Sequence, residues 1–316
     1  MPQNIDVLVS EVGPRDGLQS IKRTMPTKAK LNWIRALAAA GLQEIEVGSF
    51  VSPRLLPQMA DCDELVKESN KIKNLTVLAL VPNLKGAERA IAAGARKLTM
   101  PPSASRTHGL NNIGKTPEEA IDEVERVCAL RDTLPVKQRP EVEVGISTAF
   151  GCTLEGPVSE DRVIEMAGLL AKAGADSIGL SDTSGYANPN QIKRMFRRLR
   201  SEIGTEKIAG AHLHNTRGQG LANVVAALEE EVTTFDSSLG GLGGCPYAPG
   251  ATGNIVTEDL VFMLEAMGLR TGIDIEALIA AREVLLHGLP DEMIYGHLHE
   301  VGVPKGFTYA KARGPR

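Results

Sequence analysis

The chain has 316 residues, 42% of them hydrophobic and 23% charged, and a formal net charge of -4 at pH 7. This is enough material for a large core, in one α/β barrel or in two smaller domains. Its apolar runs fall short of the roughly 18–20 residues that cross a bilayer, and its basic residues are too dispersed to form a continuous positive surface. We therefore expect neither a membrane protein nor a nucleic-acid partner.

The start of the chain and its cysteines indicate the cellular compartment. No basic stretch leads into an apolar segment near the start, so no export signal is predicted. The four cysteines, Cys62, Cys128, Cys152 and Cys245, show no C-x-x-C spacing. This pattern favours reduced thiols over a disulfide framework. We expect a cytoplasmic protein.

Short β-branched runs alternate with longer amphipathic segments along the chain, and no hairpin signal separates the strands. The segment after the first predicted strand is typical of the helices: Leu31, Ile34 and Leu37 recur at helical spacing, and Gly41 follows as a C-cap. The predicted strands cover residues 5–12, 44–47, 75–81, 97–100, 142–147, 177–180, 208–214 and 233–239.

Eight βα units predict a (β/α)8 TIM barrel, because parallel strands need crossover helices and eight right-handed crossovers close the sheet on itself. A doubly wound open sheet is the alternative. We expect residues 1–316 to form a single domain, with the barrel over about 5–270 and a short C-terminal helical extension over 271–316. In such a barrel, reactive residues lie at the C-terminal ends of the strands.

Polar side chains do follow the predicted strands. Alternate residues of a strand face the same side, so His212 and His214 can present two imidazoles to one ion. Asp16, after the first strand, and Asn254, after the last, could add oxygen ligands. The sequence therefore predicts a metal site. Further polar residues at strand ends are Glu11, Arg15, Glu46, Ser147 and Asp182.

Four motifs carry a family resemblance that runs nearly end to end. They are V-G-P-R-D-G-L-Q (12–19), S-F-V-S-P (49–53), H-L-H (212–214) and D-S-S-L-G-G-L-G-G-C-P-Y-A-P-G-A-T-G-N (236–254). In these the chain resembles the 3-hydroxy-3-methylglutaryl-CoA (HMG-CoA) lyase family of metal-dependent barrels, whose distant relatives include isopropylmalate and homocitrate synthases. The condensing synthases in general lack the cysteine-bearing glycine loop, so this loop favours cleavage over condensation.

The resemblance implies a retro-Claisen reaction that splits a 3-hydroxy-acyl-CoA into acetyl-CoA and a ketoacid, which is acetoacetate for HMG-CoA. It also implies a small-molecule acyl-CoA partner, a homo-oligomer and a role in leucine catabolism. By the same resemblance, Mg²⁺ or Mn²⁺ is the cofactor, and the implied ligands are Asp16, His212, His214 and Asn254.

The resemblance assigns catalytic roles as well. Arg15 is implied to stabilise the oxygen of the thioester enolate with its fixed charge. Cys245 is implied to transfer a proton, with His212 as the other candidate. Glu46 and Asp182 match further acidic positions and would tune the metal, the arginine or a base. His108 could contact the substrate or CoA, but we expect it to be an exposed loop residue.

Some positions depart from the family pattern. Glu143, Val144 and Gly145 stand where the well-studied lyases carry Arg-Gly-Tyr, and Asn215 to Arg217 replace Asp-Thr-Tyr. The pocket is therefore expected to be larger or differently polar, and citramalyl-CoA or a longer 3-hydroxy-diacyl-CoA is an alternative substrate. Two other functions are open: a Claisen-condensing acyltransferase, and a binding or regulatory barrel. The latter predicts loss of a metal ligand or of the arginine, and neither is lost.

Overall fold

The computed structural model describes residues 5–243 and 253–311. Eight parallel strands form one closed barrel in chain order, and the last strand pairs with the first through Leu8 and Thr234. The (β/α)8 prediction is thus confirmed, and the open sheet is excluded because such a sheet leaves two edges unpaired. The strands are β1 (Leu8–Glu11), β2 (Glu44–Ser49), β3 (Thr76–Leu80), β4 (Lys97–Met100), β5 (Glu141–Ile146), β6 (Ser177–Asp182), β7 (Ile208–Leu213) and β8 (Thr234–Ser237).

Helices surround the barrel and bury their apolar faces on the strands. In the first helix, Trp33, Ile34 and Leu37 are fully buried, as the helical spacing predicts. Gly41, after this helix, has φ of 105°, and a Cβ there would lie 2.4 Å from the Gly272 carbonyl oxygen. Only glycine fits this turn without strain. The helices are α1 (Thr27–Ala39), α2 (Cys62–Ser69), α3 (Leu84–Ala93), α4 (Arg106–Ile113), α5 (Pro117–Asp132), α6 (Glu160–Lys172), α7 (Pro189–Ile203), α8 (Gly220–Leu228), α9 (Thr257–Ala266), α10 (Ile275–Gly288) and α11 (Leu298–Val301).

The C-terminal helices lie against the outside of the barrel, where α10 packs on α1. Arg282 of α10 is buried, donates to the Glu258 carboxylate, and donates at 2.9 Å to the carbonyl oxygen of Tyr295. These contacts join α10 to α9 and to the segment that follows α10. Within the described ranges, no helix combines the length and the apolar character needed to cross a bilayer.

The inside of the barrel carries charge. Lys97 Nζ lies 2.9 Å from Glu44 Oε2 and 3.1 Å from Glu143 Oε2. Burial lowers the pKa of Lys97, but the charges of Glu143 and Glu44 outweigh burial and raise that pKa above its ordinary value. The lysine is therefore cationic and is paired with carboxylates from β2 and β5.

Candidate metal centre and cleft

A cleft of about 570 Å³ opens at the C-terminal ends of the strands, where a (β/α)8 barrel is expected to hold its reactive groups. One part of its wall is polar and the other is apolar. Its apolar lining includes Leu80, Met100, Leu110 and Ile113, on or after β3 and β4. Its polar lining includes Arg15, Asp16, Glu46, His212, His214 and Asp236.

Three side chains in this cleft form a cluster that could hold a metal ion, with their ligand atoms all within 4.8 Å of one another. The Nε2 atoms of His212 and His214 lie 3.1 Å apart. Asp16 Oδ2 lies 4.0 Å from the first of these atoms and 3.9 Å from the second. The structure thus brings together the early aspartate and the H-x-H pair.

The backbone around Asp16, His214 and Asn254 brings these side chains close together. Asp16 lies in a single wide turn of π type, Gly13–Gly17, which directly follows β1. Turns of this type often occur at functional sites. His214 pairs with Asn254 in an isolated antiparallel bridge, and the Ile255 amide donates to the Leu213 carbonyl oxygen at 3.1 Å. The chain returning after β8 is therefore fixed to the end of β7.

Asn254 completes the cluster. Its Nδ2 donates to Asp16 Oδ2 at 2.7 Å. Its Oδ1 is buried and has no hydrogen-bond partner in the described part of the chain. A buried carbonyl oxygen without a donor is costly, and a cation would satisfy it. Two imidazoles and two side-chain oxygens form a mixed donor set that suits Mg²⁺ or Mn²⁺, so the residues fit the predicted ion.

The protonation states of His214 and Asp16 suit metal ligands. Burial and the neighbouring His212 lower the pKa of His214 to about 4, so this ring is neutral near pH 7. Burial acts to raise the pKa of Asp16, but Arg15 and the two histidines outweigh it and lower the pKa to about 2. A neutral imidazole and an ionised carboxylate are the forms that bind metal.

Asp236 is a site residue at the start of the motif over 236–254, to which the sequence assigns no role. Its Oδ2 lies 3.0 Å from His212 Nδ1 and fixes the orientation of the ring. Burial lowers the pKa of His212, but the hydrogen bond and charge of Asp236 more than offset this, and the pKa is raised. With Nδ1 bonded to Asp236, only Nε2 of His212 faces the cluster.

Arg15 lies between two carboxylates at the edge of the cluster. Its Nη1 donates to Asp16 Oδ1 at 2.6 Å, and its Nε donates to Glu46. Thr99 Oγ1 donates to the other oxygen of Glu46. Burial raises the pKa of Glu46, which Arg15 opposes in part. The guanidinium is therefore held in place from two sides, with its charge beside the metal cluster.

Three remaining predictions have different outcomes. Asp182 is buried but does not line the cleft in the described ranges; its oxygens accept from the amides of Tyr186 at 2.8 Å and Ala187 at 3.1 Å. Burial raises its pKa to about 6. Cys245 lies outside the described residues. The expectation for His108 was wrong: it is only 4% exposed, lies in α4 and lines the cleft.

Comparisons with known proteins agree with this geometry. A family model described as HMGL-like matches residues 6–285. A hydroxymethylglutaryl-CoA lyase of Bacillus subtilis is 40% identical over 281 residues, which cover 89% of this chain and 92% of that protein. The mitochondrial hydroxymethylglutaryl-CoA lyase of Gallus gallus is 40% identical over 280 residues, or 88% of this chain and 91% of that one.

Among solved structures, an HMG-CoA lyase from Acinetobacter baumannii in complex with coenzyme A and 3-methylmalate superposes with a TM-score of 0.88. It is 40% identical and covers 96% of this chain, which in turn covers 97% of that one.

Proposed function

Because the chain belongs to the HMGL-like family and is a carbon–carbon lyase of the hydroxymethylglutaryl-CoA lyase type, we propose that it cleaves HMG-CoA to acetyl-CoA and acetoacetate with the help of a divalent ion. The observation that carries this proposal is the convergence of Asp16, His212 and His214, with Arg15 bonded to Asp16 at 2.6 Å. An acyl-CoA substrate agrees with the coenzyme A bound to the structural relative.

The residues that would hold Mg²⁺ or Mn²⁺ are Asp16, His212, His214 and Asn254. When bound, the ion would polarise the hydroxyl and carboxylate oxygens of the substrate as a Lewis acid. Asp236 would keep His212 in the tautomer with hydrogen on Nδ1, so that Nε2 offers its lone pair to the ion. His212 then has no nitrogen left for proton transfer, so we favour the ligand role over the proton-transfer role for this residue.

Cleavage breaks the bond between C2 and C3 of the acyl group. The C3 hydroxyl loses its proton and becomes the ketone of acetoacetate, while C2 leaves as the enolate of acetyl-CoA. Arg15 would stabilise the enolate oxygen, because its charge is fixed and Asp16 and Glu46 hold it in place. Glu46 would act as a positioning residue for Arg15.

A base must accept the hydroxyl proton. Both oxygens of Asp16 and both of Glu46 accept hydrogen bonds from described residues. Asp236 lines the same cleft and uses Oδ2 for His212, while no described residue donates to its Oδ1. We therefore assign Asp236 Oδ1 as the group that accepts the proton.

The other predicted roles complete the proposal. Cys245 would return a proton to C2 of the enolate. Asp182 would act at a distance, by holding the turn of residues 183–187 after β6. We also propose a homo-oligomer in the cytoplasm with a role in leucine catabolism.

A second substrate has a specific observation in its favour. Glu143 and Gly145 both line the cleft, and they stand where the well-studied lyases carry an arginine and a tyrosine, so this part of the lining lacks that cation and that aromatic ring. The added space favours a longer 3-hydroxy-diacyl group, and the changed polarity is the argument for the citramalyl group, which is one methylene group shorter than the HMG group. HMG-CoA remains the preferred proposal because curated relatives that are 40% identical to this chain carry its name.

The test is acetyl-CoA release by the purified protein from HMG-CoA and from citramalyl-CoA, with and without added Mg²⁺ or Mn²⁺. We expect metal-dependent cleavage of HMG-CoA, at a higher kcat/KM than citramalyl-CoA, and its loss in His212→Ala. Cleavage of citramalyl-CoA but not of HMG-CoA would show that citramalyl-CoA is the substrate. Cleavage that persists after complete metal removal would contradict the proposed metal centre.

A further inference from the structure

Gln19 lines the cleft beside the metal cluster, and the proposed mechanism gives it no role. It lies two residues after the wide turn Gly13–Gly17 that carries Asp16. Its Nε2 lies 3.0 Å from Asp16 Oδ1. Because an ionised carboxylate only accepts hydrogen bonds, the amide nitrogen of Gln19, and not its oxygen, faces Asp16. Gln19 is therefore a donor to one particular oxygen of a proposed metal ligand.

The backbone around Gln19 belongs to the same short segment as its acceptor. Ser20 Oγ donates to the carbonyl oxygen of Asp16 at 3.0 Å, and the Ser20 amide donates to the Gly17 carbonyl oxygen at 3.2 Å. Leu18 precedes Gln19 and is buried. These contacts fix the backbone on both sides of Gln19, so its side chain reaches Asp16 from a defined position.

The first oxygen of Asp16, Oδ1, is occupied by hydrogen-bond donors. It accepts from Arg15 Nη1 at 2.6 Å and from Gln19 Nε2 at 3.0 Å. A carboxylate oxygen has two lone-pair positions, so these two donors use both positions of Oδ1. Without Gln19, one of them would be available to a cation.

The second oxygen of Asp16, Oδ2, faces the other proposed ligands. It accepts from Asn254 Nδ2 at 2.7 Å, which leaves it one lone-pair position. It lies 4.0 Å from His212 Nε2 and 3.9 Å from His214 Nε2. Asp16 is thus arranged to offer a cation one oxygen only, because Arg15 and Gln19 together occupy the other.

The number of oxygens that Asp16 offers decides how many positions of the ion remain for a substrate. Mg²⁺ and Mn²⁺ favour octahedral sites. Two imidazoles, the Asn254 oxygen and one Asp16 oxygen would fill four positions of an octahedron and leave two. These two match the hydroxyl and carboxylate oxygens of the substrate. If both Asp16 oxygens bound the ion, one position would remain, and the substrate could not bind through both of its oxygens.

We propose that Gln19 is a positioning residue that keeps Asp16 a one-oxygen ligand, so that two positions of the ion stay open to the substrate. It acts through Asp16 and does not itself bind the ion. This inference rests on the proposed function, since it takes both the divalent ion and a substrate that binds it through two oxygens.

The water ligands of bound Mn²⁺ test this role. Gln19→Met keeps the length of the side chain and removes the donor, and Gln138→Met, at an exposed position, is the control. Relaxation of water protons counts the exchangeable waters on the ion. We expect about two in the unmodified chain and in the control, and about one in Gln19→Met, because an octahedral ion loses one position to the second Asp16 oxygen. An unchanged count in Gln19→Met would overturn the proposal.

Calcium gives a second measurement. Ca²⁺ takes about 6–8 oxygen ligands and can bind both oxygens of a carboxylate, so an Asp16 with one available oxygen should discriminate against it. Calorimetry on the metal-free protein measures the affinities for Mg²⁺ and Ca²⁺. Gln19→Met should lower the ratio of Mg²⁺ affinity to Ca²⁺ affinity about tenfold, the usual size of an outer-partner effect, and Gln138→Met should leave it unchanged. An equal or higher ratio in Gln19→Met would overturn the proposal as well.

Both measurements need no turnover, so they separate this inference from the proposed function. A folded Gln19→Met variant that binds no metal would overturn the inference, because Gln19 would then be required for binding itself. Absence of HMG-CoA cleavage by the unmodified chain, with metal bound, would instead refute the proposed function.

Discussion

His212 and Asp236 are direct cross-strand partners: they lie opposite one another in the β7–β8 register, and His212 Nδ1 is 3.0 Å from Asp236 Oδ2. Parallel pairing therefore sets both the tautomer of a metal ligand and the place of the proposed base. A shift of β8 by one residue against β7 would turn Asp236 to the opposite face and separate it from His212.

Asp236→Asn separates the two roles of this carboxylate. The amide oxygen can still accept from His212 Nδ1, so metal affinity should change little, whereas an amide cannot take the hydroxyl proton. We expect kcat to fall by about 10²–10⁴, the usual contribution of a general base. Steady-state kinetics with HMG-CoA and metal titration by calorimetry measure the two quantities. A variant that loses metal binding together with activity would show that Asp236 only orients the ring.

The metal ligands can be tested individually with a matched histidine as control. His214→Ala removes one of four donors and should lower metal affinity and kcat/KM by more than about 100-fold, since even an outer partner of a ligand contributes 10–100-fold. His287→Ala, at an exposed position of α10, should change neither. Treatment with a chelator should abolish activity in the unmodified chain, and Mg²⁺ or Mn²⁺ should restore it. Equal activity of the two variants would count against the site.

Arg15→Lys tests whether geometry or charge matters at this position. The guanidinium donates to Asp16 and to Glu46 from two nitrogens at once, which a single ammonium group cannot reproduce. We expect kcat to fall by about 10²–10³, as for the loss of one oxyanion donor. The control is Arg89→Lys in α3, where the arginine pairs with Asp63. Retention of full activity in Arg15→Lys would mean that charge alone suffices.

The buried carboxyl group of Glu11 should make the free energy of unfolding depend on pH. This buried carboxyl accepts from the Gly13 and Leu239 amides, both at 2.9 Å, and from Thr257 Oγ1 at 2.7 Å. Burial raises its pKa from 4.5 to about 8, although these hydrogen bonds oppose the shift. Between these two values the folded chain keeps a proton that the unfolded chain has released. The contribution of protonated Glu11 to the free energy of unfolding is therefore complete below about pH 4.5 and is lost as pH rises towards 8.

Glu11→Gln should remove this dependence while keeping the shape of the side chain. Relative to the variant, the unmodified chain should lose on the order of a few kcal/mol of unfolding free energy between pH 5 and pH 9. Denaturant unfolding at both pH values measures the difference. Parallel pH curves for the two proteins would show that Glu11 is ionised in the folded chain.

The sequence predicted the barrel well because the apolar periodicity of a strand, two residues, and of a helix, 3.6 residues, can be recognised within a short stretch of sequence. It also predicted Asp16, His212, His214 and Asn254 as a group, because strand ends in a (β/α)8 barrel share one face. It could not predict that Asp182 turns its oxygens towards backbone amides, since this depends on the path of the loop after β6. Nor could it predict the burial of His108, whose ring contacts Ser103 in the segment that follows β4.

The interior charges of Lys97, Glu44 and Glu143 were missed for a related reason. In the sequence, strand residues that face the inside of a barrel look like any alternating polar residues of a strand. Only closure of the barrel brings Glu44 of β2 and Glu143 of β5 within 3.1 Å of the ammonium group of Lys97 on β4.

Because β1 pairs with β8, the metal site can form only after the last strand has been synthesised. Asp16 emerges from the ribosome early, whereas His212, His214 and Asn254 emerge in the last third of the chain. The four proposed ligands meet only when the first and last strands join. A nascent or truncated chain therefore lacks the complete site, and the ion would be captured last, so that its occupancy would mark chains that have finished closing.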